Sequence, residues 1–144
     1  MGGTRLREVT AEDLTLFYEH QLDRDATAMA AFESRDEAPF FAHWHKVLGD
    51  ETVVARTIVY GDEVAGNVVS WLQDGHREIG YWIGRSHWGK GVATQALVSF
   101  LGVVGERPLH AWVARHNAGS IRVLEKAGFV FTREDGNHLV YELR

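Results

Sequence analysis

The stretch Gly84-Arg85-Ser86-His87-Trp88-Gly89-Lys90-Gly91 puts three glycines and a lysine into eight residues, just before an apolar run with helical spacing. Glycines at such a junction let backbone N–H groups come close to a ligand. The unpaired N–H groups and positive dipole end of the following helix then attract an anion, typically phosphate. Lys90 adds positive charge at the same place. The nucleotide-binding P-loop, G-x-x-x-x-G-K-[ST], is nearly spelled from Gly84 to Lys90. However, Gly91 stands where that loop needs a hydroxyl for magnesium, and the tight hairpins upstream do not build the parallel sheet of P-loop proteins. The alternating pair His43 and His45 has no companion carboxylate or histidine cluster in the sequence, so no metal site is read there. Phe40, Phe41, Trp44, Trp71 and Trp112 read as core or pocket wall rather than as a platform for stacked bases.

The elements that must position this loop follow from periodicity. Residues 5–9 alternate as a short strand. Thr10, three residues before Asp13, forms a weak capping box for a helix carrying Leu14, Phe17, Tyr18, Gln21 and Leu22. A second helix is expected over 26–35, broken by Pro39, with another helical turn around Phe40, Phe41, Trp44 and Val47 before Gly49. From Thr52 the composition turns β-branched. Strands are expected over 52–60, 64–71 and 77–83, joined by turns at Gly61-Asp62-Glu63 and Asp74-Gly75. A helix over 92–104 presents Ala93, Ala96, Leu97, Phe100 and Leu101 on one face. A strand over 109–114, a helix over 117–127 stopped by Gly128, and a hairpin of 129–133 with 138–143 around Gly136-Asn137 complete the order. This is an α+β or mixed α/β sandwich.

The chain has 144 residues and no cysteine. Without internal repeats or linkers it reads as one domain over 1–144, and it needs no disulfide staples. Neither a signal peptide nor a membrane span is seen, so a soluble cytoplasmic protein is expected, without membrane association. A net charge of −5 argues against a nucleic-acid binder. From Glu8 to Glu37 nine acids face only Arg24 and Arg35, a sum of −7, which leaves the remainder near +2. An acidic N-terminal third of this kind either attracts a cationic substrate or is a solvated helical face.

Three segments together carry a resemblance. Trp88-Gly89-Lys90-Gly91-Val92-Ala93 resembles the pyrophosphate loop Q/R-x-x-G-x-G/A of the GNAT acetyltransferases, with Trp88 departing from Gln/Arg at the first position. Downstream, residues 117–129 (NAGSIRVLEKAGF) resemble N-x-x-S-x-x-x-x-E-K-x-G-F. Upstream, Glu78-Ile79-Gly80-Tyr81-Trp82-Ile83 resembles the strand E-I-G-Y-W-I. The order and spacing are similar to the branch that contains the ribosomal-protein N-terminal acetyltransferases. The match is specific over 78–129 and vague before Thr52, where acceptor specificity is set.

The resemblance implies a single GNAT-like domain with a mixed, mostly antiparallel central sheet flanked by helices. Two neighbouring parallel strands, 77–83 and 109–114, would splay apart. Acetyl-CoA is the implied co-substrate. Its amide-rich pantetheine arm would pair with the freed backbone around Trp82 and Ile83 as an added strand. Its pyrophosphate would lie on Gly89, Lys90, Gly91, Val92, Ala93 and Thr94, with Asn117 holding the cofactor arm or capping the helix. The implied acceptor is a primary amine, either a small molecule or a protein N-terminus. An alkyl amine has a pKa of about 10, so roughly one in a thousand is neutral near pH 7, and a base is required. The family often places a glutamate at the position of Glu78, with His110 and His116 as lesser candidates. A backbone N–H near Ile83 would meet the developing oxyanion. Many members use a tyrosine in the following helix to protonate the leaving thiolate. That place is Leu124 here, so the role passes to Ser120. The missing tyrosine keeps a second reading alive, a non-catalytic acyl-CoA-binding or sensor domain.

Overall fold

The computed structural model describes residues 3–31 and 33–144. A seven-stranded mixed sheet has the order β1-β2-β3-β4-β5-β7-β6, with strands β1 (Thr4–Arg7), β2 (Val54–Tyr60), β3 (Glu63–Gln73), β4 (His76–Ile83), β5 (Leu109–Ala114), β6 (Val130–Asp135) and β7 (His138–Leu143). Helices α1 (Ala11–Gln21), α2 (Arg24–Ala30) and α3 (Glu37–Gly49) come before β2, α4 (Val92–Leu101) joins β4 to β5, and α5 (Ala118–Lys126) joins β5 to β6. Every adjacent strand pair is antiparallel except β4 with β5. Among the described residues no helix is long and apolar enough to cross a membrane.

Alternation along the strands splits the interior between two faces of the sheet. On one face Ile58, Val68, Ile79, Ala111 and Val113 meet Val92, Ala96, Leu97 and Phe100 of α4 and Leu124 of α5. On the other face Ala55, Val64 and Val69 meet Leu14 and Phe17 of α1 and Phe40 and Trp44 of α3. The sheet is therefore covered by the central helices on one side and by the N-terminal helices on the other.

Several boundaries differ from the sequence expectation. Strand β1 ends at Arg7 rather than residue 9. Helix α2 starts earlier, because the Asp23 carboxylate accepts from the N–H groups of Asp25 and Ala26, and it stops where Ala31 turns left-handed at φ 53°. The chain near Arg35, expected to be helical, is instead held by the buried Gln21 amide, which donates to the Arg35 carbonyl at 2.9 Å and accepts from its N–H at 2.7 Å. Pro39 ends no helix. It lies in the first turn of α3, where a missing N–H costs nothing. Helix α4 stops at Leu101, with Gly102 as its cap, although Val104 beyond it remains in the core.

Asp13 ties the N-terminal helices to the sheet. Its side chain is 4% exposed. It takes a two-pronged ion pair from Arg7 at 2.7 and 2.9 Å, the Thr10 N–H at 2.9 Å and the Thr57 hydroxyl at 2.7 Å. Burial raises its pKa, but the hydrogen bonds from Arg7, Thr10 and Thr57 outweigh this and hold the carboxyl well below the usual range. A depressed folded-state pKa gives stability that is full above the unfolded value of about 3.9 and is lost as pH falls through the lower folded value. Asp13→Ala is expected to cost about 2–3 kcal/mol at pH 7, since it strands partners of a charge-assisted network. Urea melts should show that the gap between variant and parent narrows as the pH is lowered below about 4.

Candidate active site

Strands β4 and β5 pair in register at Arg77–Leu109 and Glu78–His110, and at no later residue. Beyond that point β4 stays with β3 as far as Ile83, while β5 stays with β7 as far as Ala114. A fork therefore opens toward the C-terminal ends of two parallel strands. A cleft of about 460 Å³ occupies it, walled by the end of β4, the glycine turn before α4, the start of α5 and part of α2.

The turn before α4 is shaped by Gly89 at φ 76° and Gly91 at φ 75°, values that an L side chain adopts only under strain. Gly89, Gly91, Val92, Ala93 and Thr94 all line the cleft, as do Trp82, Ile83, Asn117 and Ser120. Ala93, expected among the core positions of α4, faces the cleft, and Val92 takes the core place instead. Lys90 differs from the expectation. Its ammonium lies over the Tyr60 ring, 5.6 Å from the centroid, and the side chain is not part of the cleft wall. The cations that do line the cleft are Arg122 and Lys126 of α5. Their spacing from Gly119 and from each other marks one helical face, a signal the sequence offered.

The backbone of the β4 arm is also more specific than anticipated. The Trp82 carbonyl presses on Gly66 of β3, away from the fork. The Ile83 carbonyl accepts the Trp88 indole N–H at 2.9 Å. Since backbone groups alternate between the two edges of a strand, Tyr81 and Ile83 present theirs to the fork, and Trp82 does not.

At the start of α5 the Asn117 side chain caps the helix by accepting the Ser120 N–H at 3.2 Å, so capping and a place in the cleft wall coexist in one residue. The Ser120 hydroxyl makes a short hydrogen bond with the Tyr81 hydroxyl. Leu124 is 2% exposed and belongs to the main core, turned away from the cleft. Tyr81 was not singled out from sequence, because strand and helix positions that meet across a fold share no local spacing.

Glu78 stands at the root of the fork on the opposite face from Tyr81. It lines a separate concavity of about 600 Å³ with Trp71, Asp74, His76, Trp112, Arg133 and Asp135. Burial raises its pKa, Asp74 adds to this, and His110 and His76 oppose it. His110 is Glu78's register partner, and its Nε2 lies 3.5 Å from Glu142. His116 is a tether: its Nε2–H donates to the Ala28 carbonyl at 2.8 Å, fixing α2 against the end of β5. The acids beside Glu78 come from the β3–β4 turn and β6. In the N-terminal third, Asp13 is taken by Arg7, while Asp23 and Asp25 both pair with Arg85. His43 and His45 lie two apart on α3 and so point to different sides of it.

A parallel strand pair that parts beside a glycine-shaped helix start agrees with the architecture that the sequence resemblance implied. The Acetyltransferase (GNAT) domain family matches residues 4–130, so the chain belongs to the GNAT acetyltransferases. Among solved structures, a domain from Methanocaldococcus jannaschii DSM 2661 is similar at 21% identity and TM-score 0.84, covering 99% of both chains. RimL, a ribosomal L7/L12 α-N-protein acetyltransferase in complex with coenzyme A, aligns at 16% identity and TM-score 0.80, covering 97% of this chain and 93% of its own. The spermidine N-acetyltransferase from Vibrio cholerae, in complex with CoA and spermine, aligns at 17% and TM-score 0.80, covering 96% and 92%. At such identities the likeness is one of fold. A search of curated protein sequences finds no match.

The fork depends on Gly66. A Cβ there would sit 1.9 Å from the Trp82 carbonyl oxygen and 3.0 Å from the Ile83 Cα, and both obstacles are backbone. Gly66→Ala is expected to destabilise the fold by about 1–3 kcal/mol, as overpacking does. A thermal melt checks this. Gly61→Ala, with open space at its Cβ, is the comparison that loses only what its positive φ demands.

Proposed function

We propose that the chain transfers the acetyl group of acetyl-CoA to a primary amine by direct attack. The observation that carries this reading is the fork itself, with the glycine turn at its mouth, Glu78 at its root on one face and Ser120 on the other. Acetyl-CoA supplies an activated acyl group and a good leaving thiol. Its diphosphate is matched by the turn at Gly89 and Gly91, the dipole end of α4, and Arg122 and Lys126 nearby. Its amide arm is matched by the fork-facing backbone groups of Tyr81 and Ile83.

The amine arrives from the Glu78 side as an ammonium. Asp74 and Glu78 favour a cation there, while Asp135 accepts the Trp112 indole N–H and Arg133 lies over the Trp112 ring at one side of the concavity. Glu78 takes the proton, directly or through a water, and the freed nitrogen attacks the thioester carbon. A backbone N–H of the fork near Ile83 offsets the charge on the carbonyl oxygen. The C–S bond breaks, the nitrogen releases its second proton to solvent as the amide forms, and the sulfur leaves toward Ser120, whose hydroxyl meets the growing negative charge. The raised pKa of Glu78 brings it nearer the working pH, where a general base is most effective. Small amines and protein N-termini both fit this chemistry. The fold relatives include one named for each.

Gly91→Val places a branched side chain at φ 75°, where the diphosphate would approach. It is expected to weaken CoA binding at least tenfold by calorimetry, and unchanged affinity in a folded variant would remove the turn from the site. Glu78→Gln tests the base. With saturating acetyl-CoA the parental rate should climb with pH and level off. The variant should be about 100-fold slower at pH 7 and recover as the amine deprotonates unaided. A loss equal at every pH would assign Glu78 to positioning. Tight CoA binding without any thiol release on a panel of amines and peptides would leave a sensor domain instead.

A further inference from the structure

We propose that Tyr81 is a positioning residue for the departure of the thiolate: it donates its hydroxyl hydrogen bond to Ser120 Oγ and so leaves the Ser120 proton free to point into the cleft. The idea rests on the acetyl transfer proposed above and assigns a task to a residue outside the α5 position that many relatives use.

The direction of that hydrogen bond follows from chemistry. A phenol is far more acidic than an aliphatic alcohol, so it is the better donor of the two. The phenolic proton therefore goes to Ser120 Oγ, and the Ser120 carbonyl, 3.5 Å away, is only a distant second acceptor for that same proton. Ser120 is then held from two sides: Asn117 takes its N–H, and Tyr81 fixes its oxygen. With its lone pair engaged, the one unassigned feature of the side chain is its own O–H, and both residues line the cleft.

The environment keeps Tyr81 in the donating form. Burial pushes its hydroxyl up to about 12. A phenol that stays neutral across the whole working range cannot serve as a base. Giving its proton away entirely to a thiol with a pKa of about 8.5 would be uphill. Tyr81 therefore keeps its proton. As the C–S bond breaks, the sulfur gains negative charge and the Ser120 O–H donates to it. The amine's first proton has already gone to the base, its second passes to solvent as the amide forms, and the proton that finally neutralises the thiolate comes from solvent. Tyr81 contributes by holding the donor in one rotamer before charge develops, which is worth more in the transition state than in the bound ground state.

Tyr81→Phe removes only the hydroxyl and keeps the ring in the wall. The expected result with acetyl-CoA and a reactive amine is a fall in kcat of about tenfold, about 1.4 kcal/mol. The Kd for CoA and the KM for the amine should stay within about twofold. Ser120→Ala should be slower still, and the double variant no slower than Ser120→Ala alone, because the tyrosine acts only through the serine. Replacing Ser120 by Thr, which keeps a hydroxyl for Tyr81 to hold, should recover part of the rate. Parental kcat in Tyr81→Phe alongside a slow Ser120→Ala overturns the role of Tyr81 and leaves the acetyl transfer standing. Losses that multiply in the double variant also overturn it, since they make the two residues independent. Parental kcat in Ser120→Ala overturns the serine's part in the proposed reaction itself, and with it this inference.

Discussion

Two residue pairs join β4 to β5 along the one parallel interface among the described residues, and the rest of the molecule is arranged around their parting. A parallel ladder that stops early leaves unpaired N–H and C=O groups facing a gap, which is costly if they are buried dry. The gap survives because each arm is fully paired on its other edge. β3 follows β4 down its length, and β7 follows β5. Gly66 permits the closest of those contacts, since its missing side chain is where the Trp82 carbonyl sits. The helices α4 and α5 then start at the open end, where α4 has no side-chain cap and α5 is capped by Asn117, so the N–H groups of α4 meet the freed strand edge. One topological event thus concentrates two kinds of unspent backbone polarity in a single cleft.

Charge pairs fix the flexible part of the architecture to the sheet. The Arg7–Asp13–Thr57 cluster pins α1 beside β1 and β2. Arg85, in the turn before α4, grips both Asp23 and Asp25 at the start of α2. His116 holds the same helix from the end of β5. α2, although only seven residues long, is therefore referenced to both arms of the fork, which lets Ala26, Met29 and Ala30 form a defined wall. The acidity of the N-terminal third is spent partly on this anchoring.

The central half of the chain was legible because its signals are local. Turn glycines, β-branched runs and helix starts report directly on nearby backbone, and the residues 78–129 keep a recognisable order. The Gly89–Thr94 turn, the Asn117 cap and the parting strands all lie where that order puts them. The N-terminal third was harder. Its helix ends are set by side chains that reach across sequence, such as Gln21 to Arg35, and by a proline whose meaning depends on which turn of a helix it occupies. Within the site, the Lys90 side chain is drawn over the Tyr60 ring, and the overlooked residues were Tyr81, Arg122 and Lys126. Each of these is decided by tertiary neighbours: a strand residue meeting a helix start, or one helical face turned toward a cleft.

The indole of Trp88 on the Ile83 carbonyl has a consequence for the exposed strand edge. An unpaired strand arm is a template on which another extended chain can grow, and such edges invite aggregation. By occupying the outermost acceptor, Trp88 acts as a guard. It breaks the row of acceptors that an intruding strand would need. The tryptophan that departs from the usual Gln or Arg at this position thus gives the chain a way to keep its own open seam closed to its neighbours.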